Sequence, residues 1–478
     1  MSIPLNCIDK GLLALHSKNE PMMEHCIVSV DGPVDPAKLR AALTAVLRRH
    51  PTWRSIIHAG LFRQVRAERD CRGEDVLSVW DFPTPHDSLT LQGCDIEEWH
   101  NRRLIEWMNR PLDPFREVPC RFLLLRRNRR GSTIVFTCHH SAADGLHLFR
   151  FAAEVIGEYN GGSGIRCLTA CTAPDGGRDG LVALARSRRP KVTHFYLRIL
   201  GSLIHRFLLA PFSPNTKLYR RSHKRSPEVG LCLGSLTPHE LSQIRSRSKA
   251  SGATINDALL AACFRAVQQW NDVHRKPTRK ISIMVPVDIG GSNPSPLAGN
   301  QVSFISVSTM PKDRTDPDRL LRRLAEKTSH MLEKGIAFSI VYAARFCTLL
   351  SSRTTKCVAD FLMVTRIYLD SILLTNLGVI WPKGIVVVEG GKLGDSRIAS
   401  VVGIPPVVSP MGMSLCACTF EDHLYITLTY KSEQFSEAEA KSFLNLYLHE
   451  LRGYQRTPEG LLAPEVRQVQ ARDAAMVN

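Results

Sequence analysis

A strand, a turn with two histidines and a helix follow one another in this chain, and this stretch constrains its fold more than any other. Residues 132–138 are rich in β-branched and apolar side chains, which is typical of a buried strand. Residues 146–159 carry apolar side chains at helical spacing and predict an amphipathic helix. Because rigid elements hold the turn on both sides, its polar side chains can be presented to a cleft.

The turn contains His139, His140, Asp144 and Gly145. Neutral imidazole accepts a proton near pH 7 and can return it, so a histidine is the first candidate for acid–base chemistry. Neighbouring residues of a strand point to opposite faces, so we expect one histidine to face a cleft and the other to be packed or hydrogen-bonded. Asp144 can fix a histidine tautomer, form a salt bridge elsewhere or cap the helix, and Gly145 allows close backbone approach or a positive φ.

Other catalytic and metal-binding patterns are absent from the sequence. There is no HExxH motif, and the spacing of Cys416 and Cys418 or of Cys167 and Cys171 does not fit a zinc site. There is also no GxSxG motif for a serine nucleophile. We therefore expect neither a bound metal nor a permanently bound cofactor.

The cysteines and the apolar segments bear on where the protein is found. Fourteen cysteines form no CxxC pair, and the first residues do not resemble a signal peptide, so we expect a cytoplasmic protein. No run of eighteen uncharged apolar residues occurs, so no membrane-spanning helix is expected.

The net charge of +17 indicates anionic partners, and much of it lies in one segment. Between Arg178 and Arg225 there are twelve lysines and arginines against one acidic residue, Asp179. Within this segment, residues 192–212 have the pattern of a helix that lies on an anionic membrane or of one that packs over the core with a basic outer face. A solvated basic linker is a further interpretation. Nucleic acid is not an expected partner, because no aromatic interleaving or binding-fold signature accompanies the basic residues.

The pattern His139-His140-xxx-Asp144-Gly145 resembles the HHxxxDG signature of the CoA-dependent acyltransferase superfamily. This superfamily includes chloramphenicol acetyltransferase and the condensation domains of nonribosomal peptide synthetases. Within it, the chain most resembles the alcohol acyltransferase, wax ester synthase and polyketide-associated acyltransferase branches. The resemblance implies that His140 is the catalytic histidine, that Asp144 has a mainly structural part in the catalytic motif, and that His139 and Gly145 support the turn.

Further segments resemble parts of the same family, although only the motif at 139–145 is specific. One position departs from the family. Where an arginine often pairs with the motif aspartate, this chain has Asp288-Ile-Gly-Gly, so either Asp144 is met by another cation or cap or its ion pair is absent. The other similar segments are residues 47–54, 110–115, 253–270, 281–289, 298–308 and 373–378.

The resemblance implies an α/β fold of two chloramphenicol-acetyltransferase-like halves, each with a mixed sheet and flanking helices, and a tunnel at their interface. We place an N-terminal half at residues 1–170, a basic amphipathic linker at 171–228, a C-terminal half at 229–458 and a flexible tail at 459–478.

The function implied by the resemblance is acyl transfer from a thioester, either acyl-CoA or carrier-bound phosphopantetheine, to a hydroxyl or amine acceptor. His140 would take the acceptor's proton as it attacks and return it to the departing thiolate. Asn300, Ser303 and Asn376 are candidates for oxyanion or substrate contacts. The alternative is a catalytically inactive condensation-like protein that binds lipid or a carrier protein through the basic segment, and the departure at Asp288 is the reason to keep it.

Overall fold

The structure is a computed structural model that describes residues 2–60, 64–82, 96–127, 131–162, 214–289, 299–347, 350–365, 370–381 and 391–453, with six single positions between 197 and 212. Most of the basic segment, most of the helix predicted at 192–212 and the tail expected at 459–478 lie outside the described residues. The fold is α/β, with helices on two mixed sheets, as the sequence predicted.

Two six-stranded sheets dominate the described part of the chain, in the orders β12-β13-β2-β7-β6-β5 and β10-β9-β11-β14-β15-β8. A small third sheet has the order β1-β4-β3. The strands are β1 (Ser2–Pro4), β2 (Met23–Val30), β3 (Ser55–Ala59), β4 (Gln64–Glu68), β5 (Leu77–Asp81), β6 (Cys120–Arg126), β7 (Ser132–His139), β8 (Val229–Leu236), β9 (Ile281–Asp288), β10 (Val302–Thr309), β11 (Ile372–Val379), β12 (Lys392–Leu393), β13 (Ser396–Ile404), β14 (Met413–Phe420) and β15 (His423–Lys431).

Helices flank these sheets, and among the described residues none is long and apolar enough to cross a membrane. They are α1 (Cys7–Leu15), α2 (Pro36–Arg49), α3 (Gly73–Val76), α4 (Ile96–Met108), α5 (Gly145–Tyr159), α6 (Pro238–Ala250), α7 (Ile255–Val273), α8 (Pro317–Glu333), α9 (Phe338–Cys347), α10 (Ser352–Thr365) and α11 (Glu437–Arg452).

The first lobe, which comprises the sheet β12-β13-β2-β7-β6-β5 and its helices, is built around the hairpin of β6 and β7. Every residue of β7 is buried, because it lies between β2 and β6 in the sheet while α5 packs on it. A strand covered on both faces carries apolar and β-branched side chains continuously rather than in alternation. The helix α5 begins at Gly145, directly after the motif turn.

The second lobe comprises the sheet β10-β9-β11-β14-β15-β8 and its helices. It has its own core, in which α7 packs against α11. Both helices begin with a capping box, formed by Thr254 with Asp257 and by Ser436 with Glu439. These reciprocal bonds satisfy backbone N–H groups that a helix start leaves unpaired, so both starts could be predicted from the sequence.

One strand from the second half of the chain joins the sheet of the first lobe. Strand β13 pairs antiparallel with β2, with Val401 opposite Val28 and Ile404 opposite His25. The segment that follows β13 returns to the second lobe's sheet at β14. Because the chain passes from one sheet to the other between β13 and β14, it connects the two lobes beside the motif turn.

Candidate functional site

A cavity of about 430 Å³ lies at the junction of the two lobes. Its walls are mostly apolar and come from both lobes, including β2, the motif turn and α5 on one side and β9, β10, β11 and α9 on the other. Among the described residues that line it there are carboxylates but no lysine or arginine. The charged and histidine residues of the lining are Glu24, His25, His140, Asp144 and Asp288.

His140 directly follows the last residue of β7, as the first residue of the turn, and lines this cavity. Its backbone N–H donates to the carbonyl of Met22 at 2.8 Å, and its ring Nδ1–H donates to the carbonyl of Ala143 at 3.2 Å. The side chain is 13% exposed. The turn therefore holds the ring in one orientation, with Nε2 as the nitrogen left for other contacts.

Nε2 of His140 faces a carboxylate rather than an empty cavity. It lies 2.9 Å from Oε1 of Glu24, a residue of β2 that also lines the cavity. Burial alone would lower the pKa of His140, but the charge and hydrogen bond of Glu24 outweigh it, together with the Ala143 carbonyl and Asp144, and raise this pKa to about 9. The contact with Glu24 therefore favours the protonated form of the His140 ring.

His139 has a different environment, away from the cavity. Its side chain is fully buried, and Nδ1 accepts the backbone N–H of Ser141 at 3.1 Å. Nε2 therefore carries the ring proton and donates it to Nδ1 of His16 at 3.0 Å. Burial lowers the pKa of His139 well below its ordinary value, so this ring is neutral and supports the turn.

Asp144 caps α5 and pairs with a histidine one turn along it. Its Oδ1 accepts the backbone N–H of His147 at 3.0 Å and the ring Nδ1–H of the same residue at 2.8 Å, and its Oδ2 accepts the N–H of Gln301 at 3.0 Å. Burial would raise the pKa of Asp144, but His147 and these donors hold it far below its ordinary value. In the structure His147 therefore takes the place of the arginine that the resemblance implied near Asp288.

The carbonyls of the motif turn are held by a buried clamp. Arg66 donates through Nη2 to Oδ2 of Asp9 at 2.9 Å and to the carbonyl of Ser141 at 2.6 Å. Asn300 donates through Nδ2 to Oδ1 of Asp9 at 2.8 Å and to the carbonyl of His140 at 2.7 Å. The Arg66 and Asp9 side chains are 1% and 0% exposed, so α1, β4 and the segment before β10 fix the turn from behind.

The three residues predicted for oxyanion or substrate contacts have different surroundings. Asn300 uses its amide N–H groups in the clamp and does not line the cavity. Ser303 lines the cavity, but its hydroxyl donates to the carbonyl of Ala337. Asn376 also lines the cavity, and its Oδ1 accepts the N–H of Gly378 at 3.0 Å. No described residue accepts from the amide nitrogen of Asn376, which leaves it as the candidate with a donor available.

Four residues of the site were not singled out in the sequence. Glu24 is an acidic residue in an otherwise apolar strand, which could have marked it as a buried carboxylate. His147 follows Asp144 by three residues, a spacing that brings side chains together on a helix. Asp9 stands three residues after Asn6, as in a capping box, and Arg66 has no comparable local signal.

A second cavity, of about 300 Å³, is lined by other residues of α1 and by α10. Its polar lining includes Lys10, His16, Arg353 and Lys356, and no carboxylate is among the described residues that line it. Lys356 is paired with Asp360 on the same helix, but the described lining as a whole carries more basic than acidic groups, in contrast to the cavity that contains His140. Over the described part of the chain, no cluster of three or more histidine, cysteine or acidic residues is arranged to hold a metal ion.

Comparison of the sequence with known proteins finds two relatives of low identity. No family model matches the chain. Two uncharacterized proteins of Mycobacterium tuberculosis, MT2362 of strain CDC 1551 and Rv2305 of strain H37Rv, are each 23% identical to it over 384 residues, which is 77% of this chain and 80% of theirs.

Solved structures with a similar fold cover nearly the whole chain. The first condensation domain of the CDA synthetase superposes with a TM-score of 0.68 at 14% identity, over 96% of this chain and 98% of its own. The epimerization domain from the third module of tyrocidine synthetase B superposes with a TM-score of 0.64 at 16% identity, over 97% of this chain and 98% of its own. Polyketide synthase associated protein 5 from Mycobacterium tuberculosis superposes with a TM-score of 0.59 at 14% identity, over 92% of this chain and 95% of its own. At these identities the likeness shows the fold alone.

Proposed function

We propose that this chain, which has the two-lobed fold of condensation domains and of the CoA-dependent acyltransferase superfamily, transfers an acyl group from a thioester to a hydroxyl or amine. The observation that carries the proposal is the position of His140. The motif turn presents this ring to a large cavity at the junction of the lobes, with its backbone and Nδ1 fixed. A rigidly held acid–base group in a cleft between lobes is what acyl transfer without a covalent intermediate requires.

His140 is the group that handles the transferred proton in this proposal. The acceptor oxygen or nitrogen attacks the thioester carbonyl, its proton is removed, and the departing thiolate is protonated. The negative charge on the carbonyl oxygen needs a donor, for which the amide of Asn376 is placed in the cavity wall. Asp144 and His139 act indirectly: Asp144 lines the cavity, but its oxygens accept from His147 and Gln301, and His139 is bonded to Ser141 and His16 behind the turn.

The electropositive second cavity supports a donor that carries phosphate. Acyl-CoA and a phosphopantetheine arm both deliver a thioester on a chain that ends in phosphate groups. Lys10, Arg353 and Lys356 lie in this cavity, on the side of α1 away from the His140 cavity. We propose the thioester as a co-substrate that binds and leaves, brought as acyl-CoA or by a carrier protein.

The apolar lining of the His140 cavity supports at least one lipid-like substrate. Aliphatic side chains and Phe149 and Phe304 form most of its surface, and a buried CH₂ group of a ligand contributes about 0.8 kcal/mol. The small-molecule acceptor or the acyl chain is therefore expected to be largely hydrocarbon.

The experiment that tests the proposal is release of free thiol from a panel of acyl-CoAs, from acetyl-CoA to palmitoyl-CoA, with mixed primary alcohols and amines as acceptors. Mass spectrometry of small molecules that copurify with the full chain guides the choice of acceptor. Acceptor-dependent thiol release supports acyl transfer. Binding of acyl-CoA or of lipid with no thiol release from any donor contradicts it and favours the catalytically inactive binding protein.

A peripheral contact with an anionic membrane is a second part of the proposal. The described positions within residues 197–212 are exposed although most are large and apolar, with Leu197 63% and Phe212 86% exposed. They lie in the segment that is rich in lysine and arginine. Apolar side chains exposed among basic residues are typical of a surface that lies on anionic lipid.

We predict that the full chain floats with vesicles rich in phosphatidylglycerol, and much less with vesicles of phosphatidylcholine alone. Binding should weaken at about 1 M salt, where charge attraction is screened within a few ångströms. Phe212→Ser should reduce flotation, whereas Leu332→Ser, which removes an exposed apolar side chain from α8, should not. Equal flotation with both lipids would contradict an anionic contact.

A further inference from the structure

We propose that Glu24 is a second catalytic group of this site: its carboxylate removes the acceptor's proton, while His140 acts as the acid that protonates the departing thiolate. This assignment rests on the proposed acyl transfer and divides between two residues the role that the resemblance implied for His140 alone. It concerns a residue of β2 that lies outside the HHxxxDG motif.

The first observation is that Glu24 has one carboxylate oxygen in use and one without a partner. Oε1 accepts from His140, whereas Oε2 is buried and no described residue donates to it. The residue is 6% exposed. A buried carboxylate oxygen without a donor is costly, and in a native structure it calls for a functional explanation.

The second observation is that Glu24 and His140 line the same cavity side by side. The last torsion of a glutamate side chain is soft, so a small rotation brings Oε2 within reach of a hydroxyl or amine placed at the contact. An acceptor there would supply the hydrogen-bond donor that Oε2 lacks.

The third observation is the position of the protons on His140. Nδ1 must carry a proton, because its partner is the carbonyl of Ala143, which only accepts. Nε2 faces Oε1 of Glu24 at 2.9 Å, so one proton must lie between these two atoms. With Nε2 in this contact, the ring cannot accept a further proton, and the basic atom that remains is Oε2.

The proton transfers balance over one turnover. The acceptor forms a bond to the thioester carbonyl carbon as its proton moves to Glu24, and the carbon–sulfur bond breaks as the Nε2 proton of His140 moves to sulfur. The products are an ester or amide and a free thiol. A half-turn of the protonated Glu24 carboxyl then carries its proton to Nε2, which restores the imidazolium and the carboxylate.

Among the described residues, no further titratable group that could act as a base is in contact with the pair. Nδ1 and Nε2 of His140 contact Ala143 and Glu24, and Asp144 is occupied by His147 and Gln301. The remaining neighbours come from the same turn, from the strands packed against it and from β9. They are His25, Cys138, His139, Asp288 and Cys416.

The pH dependence of the wild type tests the assignment without any variant. If His140 is the acid, it must be protonated, so kcat/KM falls as pH rises through about 9, the pKa that Glu24 gives it. If His140 is the base, it must be neutral, and kcat/KM rises with pH over the same range. We would measure kcat/KM between pH 7 and pH 10 with palmitoyl-CoA or the best donor of the panel, and correct it for spontaneous thioester hydrolysis. A kcat/KM that rises with pH overturns the proposal.

Substitution of Glu24 is the second part of the experiment that tests its role. Glu24→Gln should lower kcat at pH 7 by at least about a hundredfold, the usual contribution of a positioned base. If Glu24 only paired with His140, the same change would release Nε2 and leave kcat unchanged or higher at pH 7. Glu24→Asp, which keeps the carboxylate, should retain more activity than Glu24→Gln. Glu437→Gln removes an exposed carboxylate of α11 that does not line the cavity, and it should leave the pH profile where it is in the wild type.

The outcomes separate this inference from the proposed function. No thiol release by the wild type from any donor would overturn acyl transfer itself. Thiol release by the wild type that is undiminished in a folded Glu24→Gln would overturn only the role of Glu24.

Discussion

Two histidine–carboxylate pairs with different surroundings lie at the motif turn. His140 with Glu24 faces the cavity, whereas His147 with Asp144 fixes the start of α5. The sequence predicted that one motif histidine faces a cleft, because adjacent residues of a strand point to opposite faces. It could not predict Glu24, which reaches His140 only because β2 and β7 pair at this register.

The pair of Asp144 and His147 should contribute stability in a defined pH range. The lowered pKa of Asp144 gives a contribution that is present above pH 4 and lost as pH falls through the native pKa. Burial would lower the pKa of His147, but Asp144 outweighs it and raises the pKa above 6.5, so this contribution is full below about pH 6.5 and lost as pH rises through the native pKa.

We therefore predict that Asp144→Asn lowers the free energy of unfolding by at least about 1 kcal/mol near pH 5.5, since it removes a charged acceptor but keeps a helix-capping side chain. The loss should be smaller at pH 9, where His147 is closer to neutral. Urea unfolding at the two pH values measures this. An equal loss at both would contradict the ion pair.

At the scale of elements, local signals predicted some of the structure and missed the rest. Strand β7 and helix α5 follow from the side-chain pattern within each segment, and the capping boxes at the starts of α7 and α11 also lie within their own segments. Strand β13 joins the first lobe's sheet by pairing with β2, more than 360 residues earlier in the chain. Such a pairing leaves no local pattern, so sequence reasoning could not place β13.

The clamp behind the motif turn is an element-scale contact with a large expected effect on stability. Asp9→Ala leaves the guanidinium of Arg66 buried without its carboxylate, which costs about 3–5 kcal/mol in comparable pairs. Glu98→Ala removes one partner of an exposed pair with Arg102 on α4 and should cost less than about 1 kcal/mol.

Denaturant unfolding of both variants at pH 7 compares the two pairs directly. The clamp also holds the carbonyls of His140 and Ser141, so Asp9→Ala should lower activity as well as stability. Equal stability of the two variants would show that the buried pair does not hold the turn.

At the scale of the whole molecule, the two lobes form a cavity whose charged residues differ in sign from the net charge of the chain. The net charge is +17, yet the described lining of the His140 cavity contains no lysine or arginine. The basic residues lie elsewhere, including the second cavity with Lys10, Arg353 and Lys356. Composition predicted anionic partners, but only the folded arrangement separates an electropositive cavity from an apolar one that contains carboxylates.

The central claim is that His140 transfers the proton when an acyl group moves between substrates, and kcat for thiol release by His140→Ala tests it most directly. With the best donor and acceptor of the panel at pH 7, we predict a loss of at least about a hundredfold. His58→Ala, which removes an exposed histidine from β3, should match the wild type. A folded His140→Ala variant with the wild-type rate would contradict the account.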